Sequence, residues 1–430
     1  MTQTKPVAII GGGLAGLTTA IWLARAGTPV TVYEKARHVG GRALTEERGG
    51  FHFNLGPHAL YTKGAAARIL RELGVEFSGR VPALNGGYAL NEGAKQTLPM
   101  GFASMLTTGL LGLPAKLETA KLFGTLGKLD AQALQGVSVR AWLDQTLQQT
   151  QTRRVAEAYL RLSTYANDAE QLSAGAALAQ LQLALAGSVL YLDGGWQTLV
   201  DKLHEAAKQA GAQFVTGTRV TRIEHNGAVQ AVQLQNGKPV PVAAAILATS
   251  PAEAKALLDD GAQHAWAQTP VPVKVACLDV ALQRLPEARA LFALGIDRPL
   301  YFSVHSATAR LAPGDGALIH VAMYLGDATA DAPAVERELE GVLDLLQPGW
   351  RAVLAERRFL PSMTAANALV TAAQGGYAGR PKPDATGIRG LLLAGDWVGD
   401  EGMLADASVA SGKRAAELIL QRQALAALAA

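Results

Sequence analysis

The chain has 430 residues, 49% of them hydrophobic and 17% charged, with a formal net charge of +3. That length fits two interleaved domains better than one small core. So slight a charge, with no basic run carrying interleaved aromatics, speaks against nucleic-acid binding. The single cysteine, Cys277, excludes an internal disulfide and suits a reducing cytoplasm, and eight scattered histidines without paired carboxylates predict no metal site.

Taken in order, Val7-Ala-Ile-Ile10 is an unbroken apolar run that suits a buried parallel strand, and it breaks into Gly11-x-Gly13-x-x-Gly16. Leu14 to Ala26 reads as a helix with Leu17, Ile21 and Trp22 at helical spacing, closed by Gly27. Val30-Thr-Val-Tyr33 is a second strand ending in Glu34, with Lys35 beyond it. In such a unit the first glycine allows a tight turn, the second lets backbone approach a pyrophosphate, and the third lets helix pack on strand. The helix N-terminus, from Leu14 and Ala15, offers free N–H groups to phosphate, and Glu34 stands where a carboxylate reaches both ribose hydroxyls.

Immediately afterwards comes His38-Val-Gly40-Gly41-Arg42, then a strand-like Phe51-His-Phe-Asn-Leu55 running into Gly56-Pro57-His58-Ala-Leu-Tyr61. Residues 86–185 read mostly as helix. Within them Met100 to Leu113 is an apolar stretch, short for a span, expected to be a buried helix or an interfacial patch giving peripheral membrane contact. Gln197 to Ala210 reads as helix, Phe214-Val215 and Arg219 to Glu224 as strands, and Ala243 to Ala248 as another buried strand. Further strands are read at Val271 to Leu282, Tyr301 to His305 and Ala317 to Tyr324, and a helix from Ala334 to Leu346. His320 and Tyr324 share one face of their strand. Finally Gly390-Leu-Leu-Leu-Ala-Gly395-Asp396 is an apolar strand ending in Gly-Asp, followed by a helix from about Leu404 to Leu420 and an alanine-rich tail expected to fray. No second GxGxxG and no CxxC pair occur, so electrons are expected to leave to oxygen, a quinone or another diffusible acceptor. The N-terminus lacks a basic n-region with a cleavage site, and nowhere do 18 apolar residues run together; a cytoplasmic protein, peripheral to a membrane at most, is expected.

GxGxxG, an acidic strand end, Gly-Gly-Arg and a distant Gly-Asp before a helix together resemble the FAD-dependent amine oxidase and phytoene desaturase superfamily. The resemblance implies an α/β fold: a Rossmann-like FAD-binding domain of the p-hydroxybenzoate hydroxylase/amine oxidase type with an interleaved α+β substrate domain. It places the FAD-binding segments at 1–85, 186–255 and 375–422, and the substrate domain at 86–185 and 256–374. By the same resemblance Gly40, Gly41 and Arg42 lie along the pyrophosphate, and Val220 holds the adenine through its backbone. Gly56 and Pro57 touch the flavin ring, Gly395 and Asp396 meet the ribityl and phosphate region, and the backbone at Leu404 and Ala405 meets the flavin pyrimidine. The family often carries Glu-Gly-Ala in that last helix, where this chain reads Asp406-Ala407-Ser408.

Candidate catalytic residues follow with alternatives open. His58 and Tyr61 stand near the reacting carbon; His58 is a general base or a packed, capping histidine. Lys274 either holds a water against the flavin, as an amine-oxidase lysine does, or is an edge-strand lysine. Trp397 is a candidate for an amine-binding aromatic pair whose partner is not evident. The activity implied is FAD-dependent dehydrogenation or desaturation of a small apolar, isoprenoid-like substrate. An amine or protoporphyrinogen-type oxidase, and a prenyl-binding escort-like scaffold without flavin, remain as alternatives.

Overall fold

The computed structural model describes residues 5–83, 86–258, 264, 266, 270–326 and 331–428. Residues 84 and 85, at the first expected segment boundary, lie outside the described residues.

Five short strands form a parallel sheet in the order Gln213–Val215, Val30–Tyr33, Val7–Ile10, Ala244–Leu247, Leu391–Leu393. Both faces are covered, which is why these strands read as continuous apolar runs rather than alternations. Val7 and Ile9 pack towards the helices Leu14–Arg25, Gln197–Gln209 and Leu404–Leu428. Ala8 and Ile10 pack on the other side with Val220, Ile223 and Val232 from an antiparallel three-stranded layer.

The first and last of those helices cross with almost no side chain between them. Thr19 Oγ1 donates to Gly412 O at 2.9 Å, and a Cβ built on Gly412 would lie 2.5 Å from Ala15 O. Gly412 is therefore the residue that permits the crossing.

A second, seven-stranded mixed sheet has the order Leu354–Ala366, Val273–Leu282, Ala317–Leu325, Leu300–Val304, Phe292–Gly295, Tyr88–Asn91, Ala94–Thr97. Its strands alternate. Leu278, Val280, Phe302, Ile319 and Val321 face the helix Ala332–Leu346, while their neighbours face inward beneath helices drawn from residues 102–187.

Residues 86–185 are mostly helical, as read, but open on a hairpin: Tyr88–Asn91 and Ala94–Thr97 pair, turned by Glu92 and Gly93, both at positive φ as a two-residue turn matching strand twist requires. One expectation is corrected. The C-terminal helix does not fray after Gln421 but continues to Leu428. In the Met100–Leu113 stretch Met105, Leu110 and Leu111 are buried while Phe102, Leu106 and Leu113 are exposed. Among the described residues no helix is long and apolar enough to cross a membrane.

Gly412→Ala tests the helix crossing. Alanine in an exposed helix normally gains about 1 kcal/mol over glycine, whereas here the Cβ overpacks against backbone and the expected outcome is a loss of about 1–3 kcal/mol. Chemical denaturation of both proteins reads the sign; a more stable variant would show that the crossing has room.

Candidate active site

At the C-terminal ends of the parallel strands, where open α/β sheets bind ligands, a cavity of about 1130 Å³ runs from Glu34 and Val220 to the inward face of the mixed sheet. Of the residues expected to bind cofactor, Gly11, Gly13, Leu14, Ala15, Glu34, Lys35, Gly40, Gly41, Arg42, Pro57, Val220, Gly395, Asp396, Leu404 and Ala405 line it. Gly16 and Gly56 do not. A Cβ on Gly16 would meet Gly11 O at 2.0 Å, and one on Gly56 would meet Met363 Cε at 2.3 Å, so both serve close packing instead.

The lining fits a dinucleotide. Gly11, at φ +111°, turns the chain where a side chain would strike Ala248 O. Gly13 caps the helix Leu14–Arg25 without a side chain, and a Cβ there would meet nothing within 4 Å: the space beside this helix N-terminus is a cradle that any side chain would fill. Glu34 is buried and accepts from Gly12 N at 2.7 Å and Ala36 N at 2.8 Å, which aims the carboxylate while leaving lone pairs for hydroxyls. Lys35 pairs with Glu253 at the same rim.

In the middle of the cavity Arg42 Nη1 donates to Asp396 Oδ2 at 2.8 Å and to Ala365 O at 3.0 Å. Asp396 also accepts from Asn367 N (3.0 Å) and Nδ2 (2.8 Å). Burial by itself raises the Asp396 pKa; the Arg42 charge and these hydrogen bonds outweigh it and hold the carboxyl below its ordinary range. Leu404 opens the last helix at φ +54°, with Ala405 beside it against the cavity. Asp406, the departure from the family's usual residue, accepts from Ala66 N at 2.8 Å and so caps the helix Ala65–Glu72 instead of facing the cavity.

The candidate catalytic residues separate. His58 lines the cavity, but Nδ1 lies 3.0 Å from Gly56 O and Nε2 3.1 Å from Arg42 O. A neutral imidazole carries one N–H, so it donates to one of these carbonyls and turns its other nitrogen towards the second, leaving the ring wedged between two backbone segments as a strut. Burial pushes its pKa down to about 4, against the weaker upward pull of those carbonyls. Tyr61 presents its ring to the cavity and donates its hydroxyl to Ser163 O at 3.2 Å; burial raises its pKa, so it keeps its proton. Lys274 is exposed, opposite Leu325 and Thr364 in the sheet, and does not line the cavity; the strand's alternation turns it outward. Trp397 stacks on Trp266 with centroids 6.0 Å apart in the core behind the sheet, which removes it from any amine cage.

Beyond the Arg42–Asp396 pair the lining turns apolar: Met100, Phe123, Leu162, Leu181 and Leu360 are joined by Tyr159 and Tyr165. Those two phenols donate to Pro99 O (3.2 Å) and Pro57 O (2.8 Å). The lining carboxylates are Glu34, Glu253 and Asp396, none in this arm.

One polar group in the arm escaped the sequence reading. Tyr191, Tyr301, Ser303 and His305 line it. Tyr301 Oη lies 3.1 Å from His305 Nε2, and Tyr191 stacks on His305 at 3.8 Å with the rings 9° from parallel. Behind them, His320 Nδ1 lies 2.5 Å from Asp279 Oδ1, and Arg358 Nε donates to Asp279 Oδ2 at 3.1 Å. The expectation that no histidine has a carboxylate partner is thereby corrected: Cys277, Asp279 and His320 bring ligand-type atoms within 4.8 Å of one another. Asp279 is already answered by Arg358 and His320, so the cluster is complete as an ion-paired network. The signal was polarity: Asp279 and His320 are buried polar positions in strands that, Lys274 apart, are apolar.

His58 supplies a pH prediction. Folded, it takes up a proton only near pH 4; unfolded, near 6.5. The unfolded state therefore binds more protons between those values, and stability should fall as pH drops from about 6.5 to 4. His58→Gln should flatten that limb in denaturation profiles; an unchanged slope would assign it to other groups.

Comparison with known proteins agrees with this geometry. The pattern of the flavin-containing amine oxidoreductase family matches residues 14–420. A 4,4'-diaponeurosporene oxygenase of Staphylococcus aureus is 25% identical over 277 residues, 55% of this chain and 54% of that protein. Coproporphyrinogen III oxidase of Bacillus subtilis is 26% identical over 300 residues, 59% of this chain and 61% of that one. The chain thus spans little more than half the length of these relatives. An oxidoreductase from Methanosarcina mazei superposes with a TM-score of 0.74 at 19% identity, over 96% of this chain and 100% of that chain. Cyclohexylamine oxidase from Brevibacterium oxydans does so with a TM-score of 0.70 at 17% identity, over 98% and 99%; these two likenesses concern the fold. With its glycine-lined cradle, its Arg42–Asp396 pair and a matching pattern over nearly its whole length, the chain belongs to the flavin-containing amine oxidoreductase family.

Proposed function

We propose that this protein is an FAD-dependent dehydrogenase or desaturase of an apolar, isoprenoid-like substrate, reoxidised by oxygen or a quinone. The observation that carries the reading is the division of the cavity. Every lining carboxylate stands in its nucleotide half or at the Arg42 junction, whereas the arm beyond is walled mostly by aliphatic side chains and by Tyr61, Tyr159 and Tyr165, whose hydroxyls are spent on backbone carbonyls, with one uncharged polar group at Tyr191, Tyr301, Ser303 and His305. A cationic amine would enter that arm without a carboxylate to answer its charge, at a steep desolvation cost. An apolar chain gains about 25 cal/mol per Å² buried there.

Bound FAD supplies the electron sink, accepting the equivalent of a hydride. The protein's part is placement. Glu34 takes the ribose hydroxyls, the N–H groups around Gly13 and Leu14 take phosphate, and Arg42 stands beside the phosphates with its charge already balanced by Asp396. The apolar arm excludes water and lays the substrate alongside, and His58 props the Gly56–Pro57 turn against the Arg42 segment.

Glu34→Ala should weaken FAD retention by at least about tenfold, since hydrogen bonds to a charged group contribute roughly 1.5–3 kcal/mol, with circular dichroism unchanged. Equal flavin occupancy would remove Glu34 from the ribose. Substrate class is read by anaerobic titration of the flavin-loaded protein with isoprenoid hydrocarbons and with primary amines while flavin absorbance is followed. Bleaching by the isoprenoids supports the proposal, bleaching by amines alone replaces it with an amine oxidase, and a colourless protein that refuses FAD favours an escort-like scaffold.

A further inference from the structure

Four strands of the mixed sheet carry one polar residue each at the same level. Arg358 stands opposite Asp279, Asp279 opposite His320, and His320 opposite Ser303. The row crosses the inward face from the edge of the sheet to the cavity wall. Ser303 ends it there, with Tyr301 two residues before and His305 two residues after on the same face, while Leu300, Phe302 and Val304 pack into the opposite core. A polar row through an otherwise apolar sheet is costly to bury unless its groups are satisfied.

Most of them are. Asp279 accepts from Arg358 and contacts His320, and Tyr301 Oη meets His305 Nε2. Two nitrogens are not: His305 Nδ1 and His320 Nε2 are buried without a protein partner, on rings 4.5 Å apart at 80°. The hydroxyls of Tyr191 and Tyr301 lie 3.5 Å apart, loose for a hydrogen bond. Unspent hydrogen-bonding capacity thus gathers in an apolar cavity at one place, beside the neutral side chains Tyr301, Ser303 and His305.

We propose that Tyr301, Ser303 and His305, held by the Arg358–Asp279–His320 row, form a subsite for an uncharged oxygen, a hydroxyl or carbonyl, on an otherwise apolar substrate. The inference rests on the apolar-substrate reading and adds to it a polar end or substituent. Charge decides the class. Arg358 is taken by Asp279, so the row itself offers no free cation to a carboxylate; Arg80, which also lines the cavity, is exposed rather than buried with the row. Asp279 is taken by Arg358 and His320, so no free anion awaits an ammonium. Burial, with His320 and His58 nearby, holds His305 well below its ordinary pKa and keeps its imidazole neutral. What remains are neutral donors and acceptors, which favour a neutral oxygen over its methylene analogue because buried polar groups would otherwise stay unpaired.

The test compares farnesol with farnesene, a fifteen-carbon alcohol and its hydrocarbon counterpart, binding to the flavin-loaded protein. Quenching of tryptophan emission reads binding, since Trp196 lines the cavity, and each affinity is corrected for water–octanol partition. The wild-type protein is expected to prefer farnesol by at least about tenfold. Tyr301→Phe removes a single oxygen atom and should bring the ratio to within about twofold; Ser303→Ala is the second variant and decides the matter if the first loses its flavin. Equal affinity for the two probes in the wild-type protein, or a preference that survives both substitutions, overturns the subsite while the apolar reading stands. Failure of both probes to bind overturns both readings.

Discussion

The Arg42–Asp396 ion pair holds the molecule's two halves in register. Its members are 354 residues apart, one following the second parallel strand and the other ending the last. Through Ala365 O and Asn367 the same two side chains grip the end of Leu354–Ala366, the edge strand of the mixed sheet. Asp396 is buried while Arg42 keeps 40% of its side chain open to the cavity. The pair therefore meets water-sized space from one side only, a setting in which an unpartnered carboxylate would be strongly disfavoured. Both sheets, and the cavity between them, are positioned by this contact.

The electrostatics of the cavity follow from that junction. On one side lie backbone N–H groups at a helix start, glycines that leave room, and a carboxylate aimed by Gly12 and Ala36. Such features suit phosphates and ribose. On the other side Tyr61, Tyr159 and Tyr165 spend their hydroxyls on backbone carbonyls and, with aliphatic groups, offer a mostly apolar wall. Under the proposed function the two halves take different ligands, a dinucleotide and an apolar molecule, which meet where Arg42, Asp396 and the start of the last helix converge.

The mixed sheet shows how a polar network is accommodated inside such a wall. Its outer face packs apolar side chains on the helix Ala332–Leu346, with Arg357 paired to Glu336 and Glu340 of that helix and Lys274 exposed, while Arg358, Asp279, His320 and Ser303 face inward. There Arg358, Asp279 and His320 neutralise one another across adjacent strands, and the cavity end of the row stays uncharged. Satisfied networks of this kind rigidify a core, and here the network braces the wall against which a substrate would lie.

Much of the nucleotide half was legible in the sequence because its determinants are local. A glycine at Gly11 is demanded by a turn within a few residues, the helix after Gly13 begins where the strand stops, and Glu34 ends the next strand. The helix span beginning at Leu404 and the buried strand before Gly395 follow from periodicity alone. The hairpin at Glu92–Gly93 was overlooked although its positive-φ turn carries a glycine, and the outward Lys274 could not be told from an inward one without the register of its strand. His58 is a strut only because a carbonyl from Arg42 approaches its second nitrogen, a contact between separate turns. The Asp279–His320–Ser303 row depends on the register in which three strands pair, and register is set by how the whole sheet buries its outer face. Local chemistry thus determined the cofactor cradle and the elements that carry it. Tertiary packing alone decided which polar residues meet, because strand pairing, not sequence spacing, brings them within hydrogen-bond reach.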